Sequence, residues 1–176
     1  MVQRNVISDA CIYIGANNDC FGRATKITPP TIKHGEVELN DLGSMGTLKL
    51  ANGKIDGALE TKITLNSFYK DIFQKISNPF GSVDLKLCSN VMQFENDEVT
   101  ANTGLTLYMR GKSSEFPLLG EMNEHDNMNY EMTFNCSMVR LVDNGKELYY
   151  IDILNNIWIV NGVDIRKDII KNLGLA

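Results

Sequence analysis

Three stretches in the second half of the chain alternate apolar and polar residues with a period of two, and nothing else in the sequence limits the fold as tightly. In 82–94, Val83, Leu85 and Leu87 stand against Asp84 and Lys86. In 99–110, Val99, Ala101, Leu105, Leu107 and Met109 oppose Thr100, Asn102, Gly104 and Thr106. In 128–142, Met128, Tyr130, Met132, Phe134, Cys136 and Met138 oppose Asn129, Glu131, Thr133, Asn135 and Ser137. Successive side chains of a strand point to opposite faces, so this pattern describes an antiparallel sheet with one face on a core and one in water. In the first stretch the parity slips near Cys88-Ser89-Asn90, and Met92 and Phe94 take over the apolar side, so a bulge is expected there. Strands of about a dozen residues span ~40 Å, long for a small domain, and a polar face of that length suits a wall.

The rest of the chain fills in around those strands. Cys11-Ile12-Tyr13-Ile14 reads as a short strand, 17–19 as a turn, and 24–28 as a second extended piece. Pro29-Pro30 removes two backbone donors and marks an edge or corner, after which 33–39 resumes. Residues 54–65 alternate, with Ile55, Leu59, Ile63 and Leu65 inward and Lys54, Asp56, Glu60, Lys62 and Thr64 outward, and predict one half-buried strand. From 66 to 77 the apolar Phe68, Ile72, Phe73 and Ile76 form a helical stripe that Asn66 or Ser67 caps and Asn78-Pro79 ends: a plug for the sheet. The turn Asp143-Asn144-Gly145 leads into one strand running from Lys146 to Val160, which Asn161-Gly162 stops. A last helix, 163–173, has Asn161 or Asp164 as cap, Ile165, Ile169 and Leu173 as stripe and Gly174 at its stop. The expected fold is mainly β with two helices, an antiparallel sandwich or barrel with one helix inserted and one C-terminal. Residues 40–53 interrupt it as a glycine-rich loop carrying exposed apolar side chains (Leu42, Met45, Leu48, Leu50), the pattern of a partner surface.

Length and composition set the function classes. The 176 residues make one domain, 1–176, with an ordinary soluble balance of 43% hydrophobic and 22% charged residues. A net charge of −5 argues against gripping nucleic acid through its phosphates. The first residues, interrupted by Asp9, do not make a signal peptide, and no apolar run approaches the ~20 residues of a membrane-spanning helix. Cys11, Cys20, Cys88 and Cys136 are scattered and read as free thiols. His34 and His125 lie in separate segments with no ligand spacing to a cysteine, and there is no nucleophile elbow or phosphate loop. The stretch from Glu121 through Glu124 to Asp126 lacks the glycine and ligand period of a calcium loop. Tyr149, Tyr150 and Trp158 have no basic groove around them and read as core or interface aromatics. Catalysis, a cofactor and a metal are therefore not expected.

One resemblance is carried by Met109-Arg110-Gly111, by 143–148 with Ile151-Asp152, and by Val160-Asn161-Gly162-Val163-Asp164 with Asn172-Leu173-Gly174-Leu175. Weaker agreement runs through Phe21-Gly22-Arg23-Ala24, 26–29 and 43–46. In these residues the chain resembles the major tail tube proteins of contractile-tailed phages, the FII family. It departs from them at 49–58, milder than the acidic run of family members. The resemblance implies hexameric rings stacked into a hollow tube inside a sheath, with DNA passing through without specific binding. It also implies a place in the virion tail after synthesis in the bacterial host cytoplasm, and as partners other copies of the chain, the sheath protein, and tape-measure and baseplate proteins, with no membrane. Under that model the strands 54–65, 82–94, 99–110 and 128–142 form the wall. Asp56, Glu60, Lys62, Asp84, Lys86 and Glu131 are the candidate bore face, where cross-strand pairs are expected. Leu42, Met45, Leu48 and Leu50 are the candidate contact with a neighbouring subunit or ring. The alternatives are the tube of a phage-tail-like bacteriocin or secretion machine and, from another class, a small-ligand β barrel, which needs an apolar cavity.

Overall fold

The long alternating stretches do form neighbouring strands of one antiparallel sheet. The structure is a computed structural model that describes residues 3–15, 20–43, 45–121 and 128–175. Its elements are β1 (Gln3–Ile14), β2 (Ala24–Thr28), β3 (His34–Leu39), β4 (Leu48–Ile55), β5 (Leu59–Leu65), α1 (Lys70–Ile76), β6 (Val83–Glu95), β7 (Glu98–Glu115), β8 (Tyr130–Asp143), β9 (Lys146–Asp152), β10 (Ile157–Val160), β11 (Val163–Asp164) and α2 (Lys167–Asn172). The main sheet runs β1-β6-β7-β8-β9-β10-β11, and β8 also pairs with β5, which carries β2. Among the described residues, strands β3 and β4 pair only with each other. The turn at 17–19, Glu124, His125 and Asp126 lie outside the described residues.

Strand β8 joins the two parts of the sheet. Its first half, up to Cys136, lies against β5, its second half, from Met138, against β9, and β7 flanks both. The changeover falls at Ser137, which is left over between Met138 opposite Arg110 and Cys136 opposite Gly111. Its hydroxyl donates to the Arg110 carbonyl at 3.3 Å. One extra residue reverses the parity. Before it Met132, Phe134 and Cys136 are buried, and after it Val139 is buried while Met138 is not, which corrects the expectation that Met138 continues the inward row.

Other expectations shift for similar reasons. The bulge expected in β6 near Cys88 lies in the facing strand: Ile7 opposes Val91 and Asp9 opposes Asn90, so Ser8 is the extra residue. β6 keeps one register with β7 from Val83 to Gln93. Beyond Leu87 it is partly exposed on both faces, so burial stops selecting parity. β1 begins at Gln3 rather than Cys11, because backbone pairing with β6 holds a polar segment that has no apolar pattern of its own. The strand expected over 54–65 is broken at Asp56-Gly57, where Gly57 has φ 80°. The strand expected over 146–160 is likewise two, turning at 153–156 with Asn156 at φ 58°. Asp152 holds that turn, accepting from the backbone N–H of Asn155 at 3.0 Å and from its side-chain amide at 2.7 Å. The hairpin at Asn144-Gly145 (φ 45° and 81°) has the left-handed pair that its sequence required.

Both helices are shorter than their stripes. α1 starts after Tyr69 without a side-chain cap. Asn66, expected to cap it, instead donates to the Gly22 carbonyl (3.0 Å) and accepts from the Tyr69 hydroxyl (2.6 Å). α1 buries Ile72 and Ile76 as the expected plug. At α2, Asp164 accepts from the Arg166 N–H at 2.9 Å. Leu175 N–H bonds back to the Ile170 carbonyl around Gly174, a Schellman closure. α2 buries none of its own residues. A single apolar cluster draws on β1, β5, α1 and β6 through β10, so the sheet wraps around one core.

Candidate assembly surfaces

Strands β5, β6, β7, β8 and β9 carry the polar, water-facing side of the sheet, opposite the core. In register across it stand Glu60 and Asn135, Asp84 and Arg110, Arg110 and Met138, Lys86 and Tyr108, and Arg140 and Tyr150. Five of the six residues expected on a bore face come together on it: Glu60, Lys62, Asp84, Lys86 and Glu131. Asp56 does not, because it sits in the break between β4 and β5.

Several of the charges on this face are paired. Arg110 grips Asp84 with two hydrogen bonds, Nε to Oδ1 at 2.6 Å and a terminal nitrogen to Oδ2 at 3.2 Å. That bond, with the Asp84 and Asp152 charges, pushes the guanidinium pKa further up. Lys62 meets Glu60 on its own strand at 3.5 Å, and Arg140 meets Glu147 at 2.5 Å. Lys86, expected to pair with a carboxylate, lies instead between the rings of Tyr13 and Tyr108, 5.6 and 5.7 Å from their centroids. Away from the strand ends, Lys62, Lys86, Arg110, Lys112 and Arg140 offset Glu60, Asp84, Glu131, Glu147 and Asp152. The net −5 of the chain is therefore not carried by this face. Pairs this exposed add at most about 1 kcal/mol each. Arg110, Tyr13, Tyr108 and Arg140 were missed by sequence reasoning, since only cross-strand register brings them in.

The second surface is the stretch expected as a loop over 40–53. β3 ends at Leu39 and β4 begins at Leu48, which puts Leu48 and Leu50 in a strand, so the segment is a hairpin and not one long connection. The missed signal was β4 itself, whose alternation is hidden because neither face is buried. Val37 opposes Leu50 and Leu39 opposes Leu48, forming an apolar face, while Lys49 on the other face pairs with Glu38 at 3.0 Å and Glu36 at 3.8 Å. Leu42 and Met45 at the tip are fully exposed, at 107% and 106%, and Leu48 and Leu50 remain about half exposed. The base is anchored: His34 stacks flat on Trp158 (5.5 Å, 4°), and Arg166 donates to the Gly53 carbonyl at 3.3 Å. Trp158 is itself core, its indole N–H donating to the Tyr149 hydroxyl at 2.9 Å.

A third feature was not foreseen. On its inner side the sheet leaves an apolar cavity of about 580 Å³ between β1, β6 to β10 and the Pro29-Pro30 corner. Among the described residues, no group of three or more His, Cys, Asp or Glu side chains is placed to hold a metal, and no helix is long and apolar enough to cross a membrane.

Two comparisons bear on this arrangement. The family model for phage tail tube protein FII matches residues 4–174. The tail tube protein of Escherichia phage P2 is similar to the chain, 27% identical over 154 residues that cover 88% of each. The matched span takes in the hairpin, the paired wall and the C-terminal turn and helix alike, and the chain belongs to the phage tail tube protein FII family.

Proposed function

We propose that the chain is the building block of a contractile phage tail tube: hexameric rings stack into a conduit inside the sheath, and DNA passes through. One observation carries this reading. A chain of the tail tube family spreads a polar, charge-paired face over five adjacent strands while its apolar core lies behind them. Such a face is stable in water on a continuous wall, and with its charges offset it exerts little net force on passing phosphates. Glu60, Lys62, Asp84, Lys86 and Glu131 are assigned to the bore, and the role is structural, with no catalytic step. The β3–β4 hairpin, which has an apolar face and, among the described residues, no further partner strand, reaches the next subunit or ring; isolated two-stranded hairpins are marginal in water. Sheath, tape-measure and baseplate proteins complete the tail in the virion, and the chain is made in the host cytoplasm.

Electron microscopy of the purified protein over a concentration series tests the reading. Rings or tubes with a central hole are expected. A chain that stays monomeric at every concentration refutes it, and a reconstruction with Glu60 and Glu131 on the outer wall refutes the bore assignment alone.

A further inference from the structure

We propose that the hairpin tip of one copy, Leu42 with Met45, seats in the apolar cavity of a second copy. This rests on the tube reading and gives it a specific contact. The cavity is walled by Ile7, Leu105, Leu107, Leu141 and Val160, with Pro30 at its edge. It is open apolar surface of a size that takes a few side chains, the usual mark of a docking or ligand site. Leu42 and Met45 are the most exposed large apolar residues among those described, and both lie between the end of β3 at Leu39 and the start of β4 at Leu48.

The tip cannot fill the cavity of its own chain. Pro29, Pro30 and Ile32 line the cavity and lead directly into β3. From there the six residues of β3 carry the tip away by ~20 Å at ~3.4 Å per residue. While β3 stays paired with β4 from Leu39–Leu48 back to His34–Ile55, the tip has no way back. The tip and the cavity are therefore two different, complementary patches ~20 Å apart on every copy. Such a pair makes a heterologous contact, which does not saturate at two copies but propagates as a ring or a stack. That is the growth habit the tube reading requires, and it follows here from the placement of two patches. It also gives the cavity an occupant other than a small apolar ligand.

The test uses Leu42→Cys and Ser89→Cys variants, Ser89 being a further lining residue of the cavity. The two are mixed, assembled, mildly oxidised and mapped by mass spectrometry, with each single variant as control for the native cysteines. A second arm follows the dye 1-anilinonaphthalene-8-sulfonate, which fluoresces on open apolar sites, before and after assembly of the unmodified protein. Expected are a disulfide between positions 42 and 89 in an oligomer ladder and a several-fold loss of dye fluorescence on assembly. Replacing both tip residues (Leu42→Ser with Met45→Ser) should raise the concentration needed for assembly by roughly 100-fold. Tubes that form without the 42–89 bridge, or that bind dye as the monomer does, overturn the docking and leave the tube reading standing. Absence of assembly at all concentrations removes the tube reading, and the docking with it.

Discussion

Replacing Gly111 with alanine should cost far more than the same change seven residues earlier in the same strand. A methyl group at Gly111 would lie 2.5 Å from the Asn135 carbonyl oxygen and 2.9 Å from both the Asn135 carbonyl carbon and the Cys136 Cα. All three are backbone atoms of β8, so no side chain can swing aside. The strands would have to part beside the Ser137 bulge, where β6 presses β7 from one side and β5 holds β8 from the other. Overpacking of this kind costs about 1–3 kcal/mol, and with both strands flanked the upper half of that range applies. The smaller entropy of an unfolded alanine chain returns about 0.5 kcal/mol, leaving a net loss of about 2 kcal/mol. At Gly104 nothing lies within 4 Å of an added methyl, so only the entropic gain remains. The assay is urea unfolding of dilute, unassembled protein. With a slope of about 2 kcal/mol per molar urea, the midpoint should fall by about 1 M for Gly111→Ala and rise by about 0.2 M for Gly104→Ala. Equal shifts for the two variants would refute the close approach of β7 and β8.

Three further outcomes are expected. His34→Ala should lower stability by about 1 kcal/mol and make Trp158 more open to acrylamide quenching, since the ring stacked on the indole is gone; unchanged quenching would count against the stack. Partial burial pushes the Asp152 carboxyl pKa up, but hydrogen bonds from Asn155 and Tyr150 outweigh it and hold the carboxyl below its ordinary 3.8. A group depressed in the folded state stabilises above its unfolded value. The advantage of wild type over Asp152→Ala, about 1 kcal/mol at neutral pH, should therefore shrink as the pH falls through the folded-state value, and a gap that widens on acidification would contradict this. Cys11 and Cys88 face each other across β1 and β6. Facing antiparallel residues lie ~4.5–5.5 Å apart at Cα, within disulfide range. Mild oxidation should bridge them within one chain and spare Cys136, whose thiol burial pushes up in pKa against a bond from Thr61. A main product containing Cys136 would speak against the register.

How far the sequence could be read depended on burial. Wherever one face is packed, as from Val83 to Leu87 or Tyr130 to Cys136, alternation identified both the strand and its inward side. Where both faces are wet, the pattern disappears while the hydrogen bonds remain: the first half of β1 carries no strand signal, and β4 up to Gly53 reads as loop. Breaks were missed where a turn is made by common residues, Asp56-Gly57 or Asn155-Asn156, inside a run that otherwise looks continuous. Lys86 stands on the polar side of β6 as its alternation requires, but pairing across strands needs a register that composition does not supply, and its partners are rings and not a carboxylate. The cavity was invisible for the same reason: its walls come from strands far apart in the chain.

Strand β8 has one more consequence. From Thr133 onward β8 is flanked by β7 on one side and by β5 and then β9 on the other, so its amides there lie inside ladders. They can exchange with solvent deuterium only when the whole domain opens, whereas amides of the β3–β4 ladder are released by local fraying at little cost. The molecule thus has a slow-exchanging spine and a fast-exchanging arm. An arm that opens easily can reshape itself against whatever it meets, while the spine keeps the wall's register unchanged.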